Sequence, residues 1–453
     1  MALHSLSLTD GTTTVSLATS AVYLLDYTPH TPVRKNDEWQ DVTESATVMI
    51  QAATSDLAQA SLNSIEKLLR QAEERQPNTG SDRVFVTYQM SNDASAWRSE
   101  ILAGRVELGD DAWRHWNTKT VEALVIWTRR YFWEGVEGEL PLYSISTATT
   151  QTGGSSIINM GGFGLFIAAS AVTGVVPAPV RLEMTNDNGV SVSFRRFFLS
   201  LNVFADPTAQ KTGTPHIIDG EAAVSVSAGG STIADANSRV GFYKQMAWTG
   251  SAAHNTHYMN WTVTAAKLAD WGGDRFRVLM RLATTPTAGT YIKLALKIPA
   301  GATPLTTIWE SGEMLLNSLY VLQDLGTIPL PPLPLPAFDD VALILSVRSA
   351  TTGNINVDFF ALLATDALHA FEQIGYQIPN GDKVIADGIT ARGVYYQGAG
   401  GNQLSIHSDS PPHIHLWPGR DQALEILYDE GSSMVISRTL SVRAYYRPRR
   451  LTV

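Results

Sequence analysis

A chain of 453 residues predicts roughly two to four domains, and its 44% hydrophobic and 17% charged residues are typical of an ordered globular protein. The formal net charge of −10 at pH 7 argues against a general nucleic-acid binder, because neutralising phosphates requires Lys and Arg in excess. The sequence contains no cysteine, which excludes disulfides, thiolate metal sites and cysteine nucleophiles.

The first 150 residues are predicted to form strands around a single helix. Polar and apolar residues alternate from Thr12 to Leu25, which is a strand pattern. A helix is predicted from about Ser55 to Arg75, because its apolar residues recur every three or four positions and so share one face. These residues are Ala58, Leu62, Ile65, Leu69 and Ala72. Further strands are predicted at Ala46 to Gln51, Arg83 to Gln89, Trp97 to Val106 and Thr120 to Arg129.

Residues 151–365 are predicted to form a second, all-β domain. Gln151 to Gly164 is rich in glycine and is expected to be the entry to this domain. Short strand patterns then recur between turn residues, at the spacing of an antiparallel jelly roll. They are Val180 to Met184, Ser191 to Leu201, Tyr258 to Val263, Arg275 to Arg281, Thr290 to Ile298, Ser318 to Leu322, Val341 to Ser349 and Asn356 to Leu363. Ile328 to Phe338 is expected to be an extended Pro-rich connection, with a ligand for SH3-like domains as the alternative.

A third β region is predicted over residues 366–453, ending in strands at Ala423 to Tyr428 and Leu440 to Tyr446. It either forms a separate small domain or returns to complete the first one. The predicted fold class is therefore mainly β with one helix. Its parts are a β-sandwich that includes the helix (1–150), a jelly roll (151–365) and the C-terminal β region (366–453).

The sequence predicts a soluble protein with no signal peptide and no membrane-spanning segment. The first thirty residues lack a basic segment followed by an apolar one, so no signal peptide is predicted. The apolar stretch from Gly161 to Pro177 is too short, and too often interrupted by Gly and Ser, to span a bilayer.

Motifs for catalysis and metal binding are weak. The sequence contains no G-x-S-x-G and no H-E-x-x-H, and Glu134 to Glu139 places three acids in one short loop without nominating a catalytic pair. His413 and His415 would share one side of a strand, with His407 nearby, as metal ligands must. Histidines in a polar loop are the commoner case. We therefore predict no enzyme, no cofactor and no metal site.

Clusters of aromatic and arginine residues indicate candidate protein–protein interfaces, because both residue types are enriched at such interfaces. One candidate cluster is Trp127, Arg129, Arg130, Tyr131, Phe132 and Trp133, although Trp127 fits a core position as well. The other comprises Arg443, Arg447, Arg449 and Arg450, which form either a positive patch for an acidic neighbour or a solvated strand end.

Tryptophans of the predicted jelly roll could stack on sugar rings. Trp261 and Trp271 are the candidates for glycan contact, and core packing is the commoner role for such residues.

Three segments carry a family resemblance: Leu24 to Pro32 (LLDYTPHTP), Val125 to Gly135 (VIWTRRYFWEG) and Val435 to Val453. They resemble tail-tube and baseplate proteins of tailed bacteriophages, and in particular the distal tail (Dit-like) family. Pro177 to Glu183 and Val357 to Asp366 look like the opening and closing strands of an inserted jelly roll. His415 to Gly419 resembles the turn before a late strand. The family often lacks a third region of the kind predicted here.

The resemblance implies a virion structural protein of a phage tail tip or baseplate, assembled in the host cytoplasm. Its first domain would form a homo-oligomeric ring, a hexamer among the options, and a jelly roll similar to carbohydrate-binding modules would project outward. The ring would connect the tail tube to host-recognition components, so its partners would be tube, hub, fibre or receptor-binding proteins. The alternative is an adhesin whose jelly roll binds host surface glycans. Nucleic acid is not an expected partner, and membrane insertion is not expected.

Overall fold

The computed structural model describes residues 5–74, 83–91, 93–109, 119–144, 149–158, 164–203, 216–227, 229–264, 267–268, 275–298, 306–330, 340–365, 369–372, 377–390, 393–398, 400–401, 403–406, 414–430 and 439–453. Within these residues the fold is mainly β, with one α-helix and several antiparallel sheets, which confirms the predicted fold class. No helix of the described residues is long and apolar enough to cross a membrane.

The N-terminal part contains β1 (Ser5–Thr9), β2 (Thr14–Ser16), β3 (Val22–Tyr27), β4 (Arg34–Lys35), β5 (Glu38–Trp39), β6 (Val42–Gln51), α1 (Ser55–Glu74), β7 (Val84–Gln89), β8 (Trp97–Leu108), β9 (Thr120–Arg129) and β10 (Trp133–Glu134). Most of these strands form one sheet in the order β2-β1-β7-β8-β9-β6-β3. Among the strands that the structure describes, β4 and β5 pair only with each other.

Helix α1 covers this sheet with the apolar face predicted from the sequence. The backbone N–H of Leu57 donates to Oγ1 of Thr54 at 3.3 Å, which caps the first turn. The buried helix residues are Ala58, Leu62, Ile65, Leu68, Leu69 and Ala72, and they share a core with sheet residues such as Val48 and Trp127. Gly104 of β8 lets the helix approach, since a Cβ there would lie 2.7 Å from Leu69.

A β-sandwich follows, built from two distant parts of the chain. The first part contains β11 (Gly138–Glu139), β12 (Leu142–Ser144), β13 (Thr149–Gln151), β14 (Ser155–Ile158), β15 (Gly164–Ile167), a 3-10 turn at Ala169–Ala171, β16 (Ala178–Asn186) and β17 (Arg196–Val203). After β17 the chain enters the jelly roll and later returns to the sandwich.

The jelly roll contains β18 (Ile217–Asp219), a 3-10 turn at Gly220–Ala222, β19 (Ser225–Val226), β20 (Gly230–Ala234), β21 (Phe242–Trp248), β22 (Tyr258–Val263), β23 (Arg275–Leu282), β24 (Tyr291–Ile298), β25 (Thr306–Glu310), β26 (Met314–Leu315), β27 (Leu322–Pro329), β28 (Val341–Arg348) and β29 (Gly353–Ala364). Its sheets run β20-β21-β29-β23-β27 and β19-β22-β28-β24-β25. Residues of both sheets form one apolar core between them.

The returning chain contains β30 (His369–Glu372), β31 (Lys383–Asp387), β32 (Gly393–Gln397), β33 (Gln403–Ile406), β34 (His415–Leu416), β35 (Gln422–Asp429), β36 (Thr439–Tyr446) and β37 (Arg449–Arg450). The sandwich sheets run β11-β36-β16-β31-β32-β33 and β13-β12-β15-β35-β17-β30. Their facing sides enclose a shared core that includes Leu182, Phe197, Ile426 and Val442.

These pairings correct the predicted domain boundaries. The strands between residues 155 and 203 belong to the sandwich, because β14 and β16 pair with β36 and because β15 and β17 pair with β35. The jelly roll is therefore an insertion whose strands begin at Ile217 and end at Ala364. Among the described strands of the C-terminal β region, β30 to β36 complete this sandwich, and β37 alone joins the N-terminal sheet.

The jelly roll packs face to face on the sandwich. Phe198 and Leu427 on the outer face of the sandwich share a buried cluster with Leu279, Phe359 and Leu363 of the jelly roll. Four sheets are thus stacked through three successive apolar layers. Such continuous burial fixes the two domains relative to each other.

Candidate functional site

The chain passes from the sandwich to the N-terminal sheet between its last two described strands. β36 belongs to the sandwich, whereas β37 pairs with β10. Trp133 lies opposite Arg450 in this pair. Glu134 lies opposite Arg449. We call residues 447–450 the C-terminal clasp, because they connect the two domains.

Backbone hydrogen bonds extend the clasp on both sides. The N–H of Gly135 donates to the carbonyl of Pro448 at 2.8 Å, and the N–H of Val175 donates to the carbonyl of Arg449 at 2.7 Å. Gly174 has a φ of 109° and contacts the backbone of Arg449 so closely that a Cβ there would lie 2.5 Å from the carbonyl oxygen. Only glycine fits this position without strain.

Arg449 is the centre of the clasp. Its Nη2 and Nε lie 2.7 and 3.1 Å from Oε1 of Glu134. The guanidinium lies over the ring of Phe132 at 3.8 Å from its centroid, and Nη1 donates to the carbonyl of Pro177 at 3.4 Å. The Arg449 and Glu134 side chains are only 13% and 10% exposed, so water screens this pair less than a surface pair.

Glu134 also faces Arg98 of β8, whose Nη2 lies 3.5 Å from its Oε2. Burial lowers the pKa of the Arg98 guanidinium, and the nearby charge of Arg447 acts in the same direction. The Glu134 carboxylate therefore faces two crowded guanidinium groups, those of Arg98 and Arg449.

The other predicted arginines are matched by acids of the same chain. Arg447 lies 3.4 Å from Glu137. Arg443 lies 3.9 Å from Glu139 and donates to the carbonyl of Gly153 at 2.8 Å. Much of the predicted positive patch is therefore paired with acidic side chains of the same chain. Arg443, which is 41% exposed, keeps the most surface for a neighbour.

Arg450 is held between an acid and an aromatic ring. Its Nη2 lies 3.6 Å from Oδ2 of Asp93, and its guanidinium lies 3.6 Å from the centroid of the Trp97 ring. Burial lowers the pKa of the Arg450 guanidinium, while Asp93 opposes that effect. This cation–π contact attaches the clasp to β8.

Half of the aromatic–arginine cluster lies in the core. Trp127, Arg129 and Trp133 are fully buried. Arg129 Nη2 lies 2.6 Å from Oε1 of Glu44, another fully buried side chain, and the Arg129 guanidinium lies 4.4 Å from the Trp133 ring centroid. Burial, together with Glu44, raises the pKa of the Tyr27 hydroxyl, which donates to that carboxylate. These residues stabilise the N-terminal domain from within.

The rest of the cluster lies nearer the surface. Phe132 is 9% exposed and lies beneath Arg449. The Arg130 side chain is 42% exposed and pairs with Asp41 and Glu100 at 3.6 and 3.7 Å. Tyr131 is half-buried. Of the six residues in this cluster, Arg130 and Tyr131 are therefore the ones that a partner protein could contact.

The glycan candidates gain no support from the geometry. Trp261 is fully buried, its Nε1 donates to the carbonyl of Gly220 at 2.9 Å, and Phe360 meets it edge to face at 4.8 Å. It offers no face to a sugar. Trp271 lies outside the described residues.

The histidine pair also leaves no metal site to describe. His407 and His413 lie outside the described residues, and His415 pairs with Pro179 in β34 and β16. Among the described residues, no group of three or more His, Cys, Asp or Glu side chains could hold a metal ion.

An exposed hairpin that was not predicted from the sequence lies between the edge strand β3 and β6 along the chain. β4 and β5 form a two-stranded ribbon, and we call residues 33–40 the arm. Asn36 and Asp37 at its tip have φ values of 51° and 64°, as a type I′ turn requires. Val33 at its base is 69% exposed. The Asn-Asp pair was the sequence signal for this turn.

Comparisons with known proteins give similarity of fold only. No family model and no curated protein sequence matches the chain. The Dit protein (gp 19.1) of phage SPP1, described as a paradigm of the hub adsorption apparatus, is 7% identical over 99% of both chains, with a TM-score of 0.32. A chain of the phage P2 baseplate in its activated conformation is 8% identical over 99% of both chains, with a TM-score of 0.28.

A third similar structure covers one part of the chain. The carbohydrate-binding module TmCBM61, solved with β-1,4-galactotriose, is 13% identical over 33% of this chain and 86% of its own, with a TM-score of 0.21. TM-scores this far below 0.5 establish neither a family nor a function for the chain.

Proposed function

We propose that this chain is a structural protein of a phage tail tip or baseplate, where copies of it assemble into a ring that connects the tail tube to host-recognition components. The sequence segments that resemble the distal tail family suggest this role. The structural feature that best supports the proposal is the arm. It is a two-stranded ribbon that pairs with no other strand of the described residues. Such a ribbon is marginally stable in water by itself, so docking on another subunit would stabilise it.

Ring closure needs two different contact surfaces on each subunit. The N-terminal sheet offers them at its opposite edges, which are the short strand β2 and the longer strand β3 beside the arm. β3 exposes Tyr23 and Leu25, which are 38% and 50% exposed. An edge strand with unpaired backbone groups and exposed apolar side chains is suited to pairing with another chain.

The internal contacts of the chain fit a scaffold. The clasp ties the sandwich to the N-terminal sheet, and the stacked sheets tie the jelly roll to the sandwich. A subunit held in this way would transmit its orientation from the ring to the periphery.

Native mass spectrometry combined with electron microscopy of the purified full chain tests the proposal. We expect a closed ring of defined subunit number. Val33→Asp together with Trp39→Ala in the arm should give monomers that remain folded by circular dichroism. A control with Val190→Asp, at a site 50% exposed on the sandwich, should still form the ring. A wild-type chain that stays monomeric at every protein concentration would overturn the proposal.

A further inference from the structure

Three polar side chains from separate parts of the jelly roll meet in one hydrogen-bonded line. Oγ of Ser346 lies 3.0 Å from Nδ1 of His254, and Nε2 of His254 lies 2.9 Å from Oε1 of Glu313. We propose that these residues form a catalytic site that hydrolyses esters of small acyl groups, with Ser346 as nucleophile and His254 as general base. This activity would be additional to the structural role and does not rest on it.

The hydrogen bonds assign a role to each ring nitrogen of His254. A carboxylate only accepts hydrogen bonds, so Nε2–H donates to Glu313, and in the neutral imidazole Nδ1 is then the acceptor for the proton of the Ser346 hydroxyl. A base that is hydrogen-bonded to the nucleophile and oriented by a third group is the arrangement that activates a serine. Geometry defines such a site, and sequence order does not.

Glu313 is fixed as the positioning residue. Arg348 holds it with two hydrogen bonds, from Nε to Oε1 at 2.6 Å and from Nη2 to Oε2 at 2.7 Å, and the Arg348 guanidinium lies 4.2 Å from the Tyr291 ring centroid. Arg348 first, and His254 second, lower the pKa of the Glu313 carboxyl to about 2. The carboxylate that orients His254 is therefore anionic throughout the neutral range.

The sheet places further groups around the nucleophile. Ser346 lies on the central strand β28, with Lys293 of β24 and Tyr258 of β22 as its Cα partners on either side. Side chains at directly opposite positions share one face and lie within contact range. Lys293, whose Nζ lies 3.0 Å from Glu310, is the cation at the neighbouring strand position that we assign to the oxyanion of the tetrahedral intermediate.

The exposure of the site indicates the substrate class. The His254 side chain is 20% exposed and that of Glu313 is 33% exposed, while Ser346 is half-buried. The three residues therefore lie at a surface that a small acyl group carried on a larger molecule can reach. An acetyl ester is the simplest substrate of this class.

The reaction balances without a co-reactant other than water. Ser346 Oγ bonds to the acyl carbon while its proton passes to Nδ1 of His254, and that proton then leaves with the alcohol as the ester C–O bond breaks. Water next attacks the acyl-serine, giving a proton to His254, which returns it to Ser346 Oγ as the acid departs. Ester and water become acid and alcohol.

The test uses the full chain with 4-nitrophenyl acetate and, separately, a fluorophosphonate probe mapped by peptide mass spectrometry. We expect hydrolysis and one adduct, on Ser346. Ser346→Ala should abolish both, and His254→Gln should slow both by at least about 100-fold. Ser231→Ala, on the other jelly-roll sheet, is the matched control and should change neither. Circular dichroism checks that each variant is folded.

A separate readout tests Glu313 as a positioning residue. In Glu313→Gln the residual rate should have its acid limb at lower pH, because losing the carboxylate disfavours the protonated imidazole, and Glu313→Asp should restore part of the rate. A purely structural role would lower the amount of folded protein without moving the pH profile. A folded wild-type chain that forms no adduct, or forms it on another serine, would overturn the proposal.

Discussion

Arg449 and Glu134 are both strand partners and an ion pair: their Cα atoms lie opposite each other in β37 and β10, and Arg449 Nη2 lies 2.7 Å from Glu134 Oε1. The backbone pairing and the charge pairing therefore reinforce each other at one point. Because these strands come from the end and the first third of the chain, this point joins the N-terminal sheet to the strand that follows the sandwich.

Arg449→Ala should loosen that connection. It leaves the largely buried Glu134 with only the more distant Arg98 at 3.5 Å, and losing hydrogen bonds to a charged group costs about 2 kcal/mol. We expect faster hydrogen–deuterium exchange in β10 and β37. Arg70→Ala is the control, because its pair with Glu74 is well exposed, and it should leave the exchange unchanged. Equal protection in the two variants would contradict the clasp.

Gly174→Ala should disrupt the clasp from its other side. The added Cβ would meet the Arg449 carbonyl oxygen at 2.5 Å, and the φ of 109° is itself unfavourable for alanine. Gly189→Ala is the matched control, since Gly189 has a φ of 70° with open space around its missing Cβ. Differential scanning calorimetry should show a larger drop in melting temperature for Gly174→Ala. Equal drops would mean that backbone strain alone is responsible.

Trp261→Ala should unfold or weaken the jelly roll without touching a ligand site. Replacing a fully buried tryptophan with alanine costs about 3–5 kcal/mol, and here the bond to the Gly220 carbonyl is lost as well. Trp417→Ala is the control, because Trp417 is 45% exposed and such changes stay within about 0.5 kcal/mol. Limited proteolysis of the jelly roll measures the difference. A resistant Trp261→Ala jelly roll would show that this core tolerates a large cavity.

The Glu313 carboxyl should titrate at an unusually low pH. Its pKa is lowered from 4.5 to about 2, so the ionised form contributes stability above pH 4.5, and this contribution is lost as the pH falls through about 2. Carbon-13 NMR of the side-chain carboxyl should show the midpoint directly. Arg348→Ala should move it up toward 4.5, whereas Arg277→Ala, which removes a pair with Asp324 elsewhere in the domain, should not. A midpoint near 4.5 in the wild type would contradict the pairing.

Local sequence patterns predicted the N-terminal elements closely. The helix predicted from Ser55 to Arg75 is observed as Ser55–Glu74, and all five residues of its predicted stripe are buried. The strand predicted from Thr120 to Arg129 is observed with the same bounds. These elements are set by a repeating apolar pattern within the element itself, which the sequence shows directly.

Strand partners could not be predicted in the same way. Alternation indicates which residues of a strand face the core, but it does not say which other strand lies beside it. Met184, for example, lies opposite Val442, far along the chain. The predicted boundary at residue 151 failed for this reason, because β16 and β17 read as jelly-roll strands until their partners are known.

The candidate sites, too, were predicted in part from the sequence and in part depended on tertiary contacts. Composition indicated that arginines and tryptophans matter, but burial and pairing depend on tertiary contacts. Arg129 meets its counter-ion Glu44 across neighbouring strands, and His254 meets Glu313 and Ser346 from positions 59 and 92 residues away. No local sequence motif indicates contacts between residues so far apart in the chain.

The jelly roll leaves the sandwich after β17 and rejoins it at β30, and these two strands are direct neighbours, with Arg196 opposite Glu372. A short link between them would preserve the strand order of the host sheet, so topology makes this domain replaceable. Any replacement must keep Phe198 and Leu427 covered, because excision of the jelly roll would expose them to solvent. The transferable module is therefore larger than the inserted segment: it includes the outward residues of the host that seal against it.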